Sequence, residues 1–252
     1  MGKMADALTR LAYVIDGWQV LDQKGSVLVL RKKGVTMMCH GIGTIYSISN
    51  DDNYYTNNYW DLFMPLPGLY TKPRILLIGL GGGTIPRQIT AFYKDASIDA
   101  VEIDAGIAEL ATKHFDMGNA KIIVADGAEF VKKADQHYDL IILDAFKGSK
   151  VPESFMSNEF YKDAYKILSK EGMLAINSME SIDTTAMSTS GFNVYILRSS
   201  IALGNNITIC SKAMDAGQIK AGIAGMEISD SVKRSYALIG QAQDMHPGNK
   251  TH

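Results

Sequence analysis

Between residues 72 and 178, five short apolar runs (RILLIG, IDAVEI, AKIIVA, YDLIILD and GMLAIN) alternate with stretches whose apolar residues recur at helical spacing, near Pro86–Tyr93, Gly106–Phe115, Ala128–Ala134 and Asn158–Leu168. Runs this apolar are buried on both faces, and strand-helix alternation of this kind closes as a parallel sheet with right-handed crossovers. The predicted fold is therefore α/β, a Rossmann-like doubly wound, mostly parallel sheet. After Ser178 the pattern predicts a helix around Val194–Leu203, a strand over NITIC and a terminal helical stretch near Ser231–Ala242.

Upstream the period differs. From Tyr13 to Ser49, β-branched and apolar residues broken by glycines (YVIDGWQVLD, SVLVLRKK, VTMMCH, TIYSIS) predict a small antiparallel β-hairpin layer. Residues Asn50 to Asn58 read as a polar, aromatic loop, and Tyr59 to Leu69 as a helical stretch bent by Pro65 and Pro67. The predicted division is an N-terminal hairpin domain with its connector over 1–58 and a nucleoside-binding catalytic domain over 59–252. A length of 252 residues, 46% hydrophobic, is enough for a sizeable core.

Twenty-five basic against 27 acidic residues give a net charge of −2, so no overall field favours nucleic acid or an anionic membrane, and a small-molecule partner is expected. No apolar run is long enough to span a bilayer, and the first ten residues lack a signal-peptide core; a cytoplasmic location is expected. Cys39 and Cys210 form no CxxC pair and the five histidines no cluster, so neither a disulfide framework nor a metal site is predicted.

Four features point to chemistry. Gly79-Leu80-Gly81-Gly82-Gly83-Thr84 follows a predicted strand and precedes a helix, where glycines let the backbone turn sharply and approach a ligand. Glu102 ends the next strand, where a carboxylate can accept from ribose hydroxyls; these two features alone suit NAD as well as an adenosyl sulfonium. Asp126-Gly127, after the third strand, adds a carboxylate for an adenine amino group beside a glycine that crowds the base, which the dinucleotide fingerprint does not require. Thr84 stands where that fingerprint has its third glycine. Asp144 closes the fourth strand at the carboxyl edge, where open α/β sheets bind ligands, and the loop AFKGSKVP behind it suits a mobile cover; the competing reading makes Asp144 a helix cap.

From Trp18 to Asn177 these residues resemble the spermidine synthase (polyamine aminopropyltransferase) family, which has a class I S-adenosylmethionine methyltransferase-like fold. Gln19 with the hairpin SVLVLRKKGV resembles the family's nucleoside-covering hairpin, Tyr59-Trp60-Asp61 its Tyr-His-Glu helix start, and Val101-Glu102-Ile103-Asp104 its ribose-binding segment. Asp126-Gly127 matches its adenine-binding segment, and Asp144 with Pro152-Glu153-Ser154 its catalytic acid and gating loop. The resemblance implies Asp144 and Tyr59 as catalytic, with Gln19, Gly79, Gly81, Gly83, Glu102, Ile103, Asp126 and Gly127 holding the nucleoside. It also implies decarboxylated S-adenosylmethionine as co-substrate, a diamine or polyamine acceptor and a homodimer.

Family acids are missing at three places: Gly82 and Lys147 each stand for a single acid, and Tyr55-Thr56 for an acidic pair. Such departures mark a divergent, spermidine-synthase-like branch. Asp61, Glu153 and Glu180 are candidates to replace those charges toward an amine substrate. Without an acid at Gly82, the loop is expected to discriminate little between the decarboxylated and the intact donor. Three activities remain open: aminopropyl transfer, methyl transfer from intact S-adenosylmethionine, and nucleoside binding without chemistry.

Overall fold

A computed structural model describes residues 2–198, 201 and 205–242. The chain opens with a helix the sequence pattern did not predict, α1 (Gly2–Ile15), so the segment from Tyr13 to Ile15 is its last turn and not a strand. Gly17, with φ of 82°, ends it: the Gly17 amide donates to Val14 O and the Trp18 amide to Tyr13 O, closing the orphan carbonyls in a Schellman arrangement.

Strands β1 (Gln19–Lys24), β2 (Val27–Lys32), β3 (Val35–His40) and β4 (Thr44–Asn50) form an antiparallel sheet in chain order. Lys33 and Gly34, both left-handed, make the two-residue turn whose twist matches the strands on either side. The stretch 59–69 is two separate 3₁₀ turns, Tyr59–Leu62 and Leu66–Leu69, and not one bent helix, because Pro65 and Pro67 have no amide hydrogen to continue the ladder.

The predicted alternation then appears in full: β5 (Arg74–Ile78), α2 (Thr84–Phe92), β6 (Ser97–Glu102), α3 (Ala105–His114), β7 (Lys121–Val124), α4 (Gly127–Lys133), β8 (Tyr138–Leu143), α5 (Asn158–Ile167) and β9 (Leu168–Ser178). Beyond these lie α6 (Thr185–Thr189), β10 (Asn193–Arg198), β11 (Asn206–Ser211), α7 (Ala216–Ala224), α8 (Asp230–Ala237) and β12 (Gly240–Gln241). The helix expected around Val194–Leu203 is instead β10 at its start, hydrogen-bonded to β11 on one side and β12 on the other; residues 199, 200 and 202–204 lie outside the described part.

The main sheet runs β12-β10-β11-β9-β8-β5-β6-β7, with β9 through β7 parallel and the last three strands added antiparallel. Strand order reverses between β5 and β8, and ligands of open parallel sheets bind in the crevice at such a switch point. Strand side chains alternate between two cores. Ile75, Leu77, Leu140 and Ile142 face one that also holds Trp60, Ile85, Ile89 and Ile223, whereas Leu76, Ile78, Ile141 and Leu143 face one built with Val131, Phe160 and Tyr161. Ile141 is fully buried, so truncating it to alanine should cost about 2–5 kcal/mol.

The small sheet belongs to the first core through Val27, Val29 and Met38. Polar contacts fix its angle: Thr84 Oγ1 accepts from the Ile48 amide at 3.0 Å and donates to Ile48 O at 2.9 Å, and Ser47 Oγ accepts from the Gly82 amide at 2.7 Å. β4 is thereby held against the glycine loop.

Candidate active site

At the switch point lies a cavity of about 340 Å³, walled by the ends of β5, β6 and β8, by Ile45 and Tyr46 of β4, and by Phe146 and Phe155. The glycine loop makes it possible. A Cβ on Gly79 (φ 89°) would sit 2.4 Å from Asp144 O, and one on Gly81 2.8 Å from Tyr46 O, so only glycine lets the loop pass between β8 and β4. Gly127 is equally constrained, since a Cβ there would lie 2.4 Å from Ile78 Cγ2. Gly83 lies behind the wall as the left-handed cap of α2, packed against Met117.

Among the described residues four carboxylates line this cavity, Glu102, Asp104, Asp126 and Asp144, and no lysine, arginine or histidine does. Glu102 is buried at the end of β6; its Oε2 accepts from the Leu80 amide at 3.0 Å and Gly81 amide at 3.4 Å, and its Oε1 from the Asp104 amide at 3.0 Å. A carboxylate has about four acceptor places, so Glu102 both ties down the glycine loop and keeps a place on Oε1. Asp126 caps α4, with Oδ1 accepting from the Ala128 and Glu129 amides, which leaves Oδ2 for a ligand. Ile103, 69% exposed, adds an apolar surface beside Glu102.

The remaining loop amides are all used internally. Gly79 N donates to Val101 O, Gly82 N to Ser47 Oγ and Gly83 N to Leu80 O. No amide between 79 and 83 is left for an anion.

Asp144 is not a helix cap. Its own amide donates to Ile78 O at 2.8 Å, while its carboxylate accepts from Asn177 Nδ2 at 2.8 Å and from the Tyr59 hydroxyl at 3.3 Å. Burial raises its pKa to about 6, offset in part by those donors and by Trp60. Tyr59 holds its proton more tightly than a free phenol, first through burial and then through the Asp144 charge. Asn177, wholly buried near the end of β9, is oriented by Asn205 Nδ2 at 3.0 Å. Sequence reasoning missed Asn177 although it ends the run GMLAIN, where a polar residue after four apolar ones is the visible signal. Tyr46, also missed, lies in TIYSIS on β4.

Other predicted residues are elsewhere. Gln19 starts β1, the edge strand farthest from β4, pairs with Arg31 and does not line the cavity; the small sheet presents β4 to the ligand side. Asp61 is buried and saturated: it accepts from the amides of Thr56 and Asn57, from Thr56 Oγ1 at 2.7 Å and from Gln88 Nε2 at 2.7 Å, so it fastens the connector and does not meet a substrate. Glu180 is exposed, 3.7 Å from Lys150, and Glu153 is exposed too; neither lines a cavity at the site. Gly82 faces away, since a Cβ there would lie 2.8 Å from Ser47 Cβ and 2.9 Å from Phe115 Cζ. The lack of a side chain at Gly82 therefore does not set the charge of the cavity.

A second cavity of about 740 Å³ adjoins the first across Ile45, Tyr46, Tyr59 and Phe146, and extends to His40, Trp60, Met179 and Asn205.

Comparison with known proteins agrees with this geometry. The spermine/spermidine synthase domain matches residues 58–194, more than half of the 252. A polyamine aminopropyltransferase of Vibrio vulnificus is 36% identical over 127 residues, 47% of this chain and 42% of that protein. One from Clostridium botulinum (strain Eklund 17B) is 35% identical over 133 residues, 49% of this chain and 46% of that protein. The chain thus spans less than half the length of these curated relatives. Among solved structures, a probable spermidine synthase from Corynebacterium glutamicum superposes with TM-score 0.69 at 19% identity, covering 82% of this chain and 87% of that one. Human methyltransferase-like protein 13, in complex with SAH, superposes with TM-score 0.51 at 22% identity over 72% and 89%. At these identities the likeness establishes the shared fold. The segment that carries the glycine loop, Glu102, Asp126 and Asp144 is matched as a unit, and the chain belongs to the spermine/spermidine synthase domain family.

Proposed function

We propose that the chain is a transferase that binds decarboxylated S-adenosylmethionine in the 340 Å³ cavity and passes its aminopropyl group to an amine. One observation carries this reading: four carboxylates line the cavity, no described cationic side chain does, and the loop amides from 79 to 83 are all engaged. A sulfonium bearing an ammonium is complementary to that wall. A pyrophosphate, or the carboxylate of intact S-adenosylmethionine, would enter an acidic cavity with no described cationic side chain and no free glycine-loop amide to receive it. Preference for the decarboxylated donor is expected on this ground, in place of the weak discrimination expected from Gly82.

In this reading a ribose hydroxyl donates to Glu102 Oε1, the adenine amino group donates to Asp126 Oδ2, and Ile103 covers a face of the base. The acceptor nitrogen attacks the methylene carbon attached to sulfur. A C–N bond forms, the C–S bond breaks with its electron pair going to sulfur, and methylthioadenosine leaves. An amine is mostly protonated near neutral pH, and only its free base has the attacking lone pair; the proton passes to the Asp144 carboxylate, whose raised pKa near 6 makes it a better base than an ordinary aspartate. Tyr59 and Asn177 donate to that carboxylate and orient it.

The test is donor turnover followed by mass spectrometry. The reading predicts methylthioadenosine and an aminopropylated amine from the decarboxylated donor. Methyl transfer, the reading that the shared fold of the human methyltransferase-like protein favours, predicts S-adenosylhomocysteine from the intact donor instead.

A further inference from the structure

The second cavity shares Tyr59 with the first, and the Tyr59 hydroxyl bonds Asp144, so it is where an acceptor can approach Asp144. Its lining is unlike that of the first. Ile45, Tyr46, Trp60, Phe146 and Met179 line the second cavity together with Asn58, Ser149 and Asn205 as neutral polar groups and with His40, and no described lining residue is acidic. The three candidate replacements for the missing charges are excluded by position: Asp61 is spent on the connector, and Glu153 and Glu180 lie outside the lining. Lys147 stands on the adjoining loop where the family has an acid, and Lys150 is paired with Glu180 at 3.7 Å.

A desolvated ammonium without a counter-charge is disfavoured, so a cavity that adjoins Asp144 through Tyr59 and has no described acid in its own lining favours an acceptor with a single ammonium. Aromatic and thioether walls instead favour an apolar body. We propose that the acceptor is a monoamine with an aromatic or alkyl body lying in the 740 Å³ cavity, and not a linear diamine or polyamine. This inference rests on the transferase reading above, because the reactive nitrogen must reach Asp144.

The test is calorimetric titration of phenethylamine and of putrescine into the protein saturated with methylthioadenosine. The expected result is phenethylamine binding at least tenfold more tightly. Equal affinities, tighter putrescine, or binding of neither amine would overturn the proposal. If methylthioadenosine itself does not bind, the donor reading has failed; the same two titrations on the unloaded protein, judged by the same criterion, then decide the acceptor question separately. A second arm adds the missing charge. Met179 is 51% exposed and lines the cavity, so Met179→Glu should fold and should raise putrescine affinity at least tenfold. Ser149→Asp is a second placement of the same charge. Putrescine affinity unchanged in both variants would contradict the cavity assignment.

Discussion

The two halves of the site are built by different rules. In the nucleoside half, each carboxylate stands at or just beyond the end of a parallel strand: Glu102 on β6, Asp126 after β7 and Asp144 after β8. Backbone amides fix Glu102 and Asp126, and Asn177 and Tyr59 fix Asp144. In the acceptor half, the walls come from the β3–β4 turn, the first 3₁₀ turn, the loop after β8 and the residues around β9 to β11, and they carry no acid among the described residues. A parallel sheet delivers acids to one edge by its topology alone, whereas segments between elements are free to change chemistry while the sheet stays the same. Family membership therefore says more about the first half than about the second.

The largest effect expected is at the junction of the halves. Asp144→Asn keeps the shape of the side chain but cannot accept a proton at neutral pH, so turnover should fall about 10²–10⁴-fold while methylthioadenosine affinity stays within about threefold. Mass-spectrometric product assays and calorimetry read the two quantities; a variant with near-native turnover would reduce Asp144 to a structural group. Next in size, Glu102→Gln removes the charge that holds the loop and, in the proposed function, receives the ribose, and should weaken methylthioadenosine binding by about 1.5–3 kcal/mol, read by calorimetry. The matching change in the second half, Met179→Ala, should leave nucleoside affinity within about threefold, because Met179 lines the second cavity and not the first; a larger loss would mean that the two halves are not separable.

A pH profile sharpens the same division. The active form of Asp144 is ionised and its pKa is raised to about 6, so activity should fall as pH drops through about 6. The Asn177 hydrogen bond favours the ionised form, so Asn177→Ala should raise that pKa and move the acid limb upward. A limb that stays in place would detach Asn177 from the base. The smallest effect concerns the loop after Asp144. The Lys147 and Lys150 amides bond only to each other's carbonyls, and the Gly148 surroundings are open. Hydrogen exchange at 147–151 should therefore be fast in the free protein and slower with methylthioadenosine bound; equal rates would remove its role as a cover.

The sheet was legible because β5 to β9 are apolar runs long enough and regular enough to leave no other reading. The error over Val194–Leu203 has a physical cause: NVYILR is too short to show its period, and its place between β11 and β12 is decided by pairing far along the chain. Helix α1 was missed although Leu8, Leu11 and Ile15 recur at helical spacing, because its last turn, Tyr13-Val14-Ile15, leads into β1 and reads as strand. At the site, glycines and strand-end acids were readable from local order. That Asp61 turns inward to the connector and that Gln19 lies on the far edge strand depend on tertiary contacts that residue order does not carry.

The central claim is that an acidic cavity with no described cationic side chain and no free glycine-loop amide selects a cationic nucleoside lacking a carboxylate. It is tested most directly by a pair of dissociation constants, for decarboxylated and intact S-adenosylmethionine on the unaltered protein. The account predicts that the decarboxylated donor binds at least tenfold more tightly, a difference of about 1.4 kcal/mol or more. Equal affinities, or a preference for the carboxylated form, would contradict it.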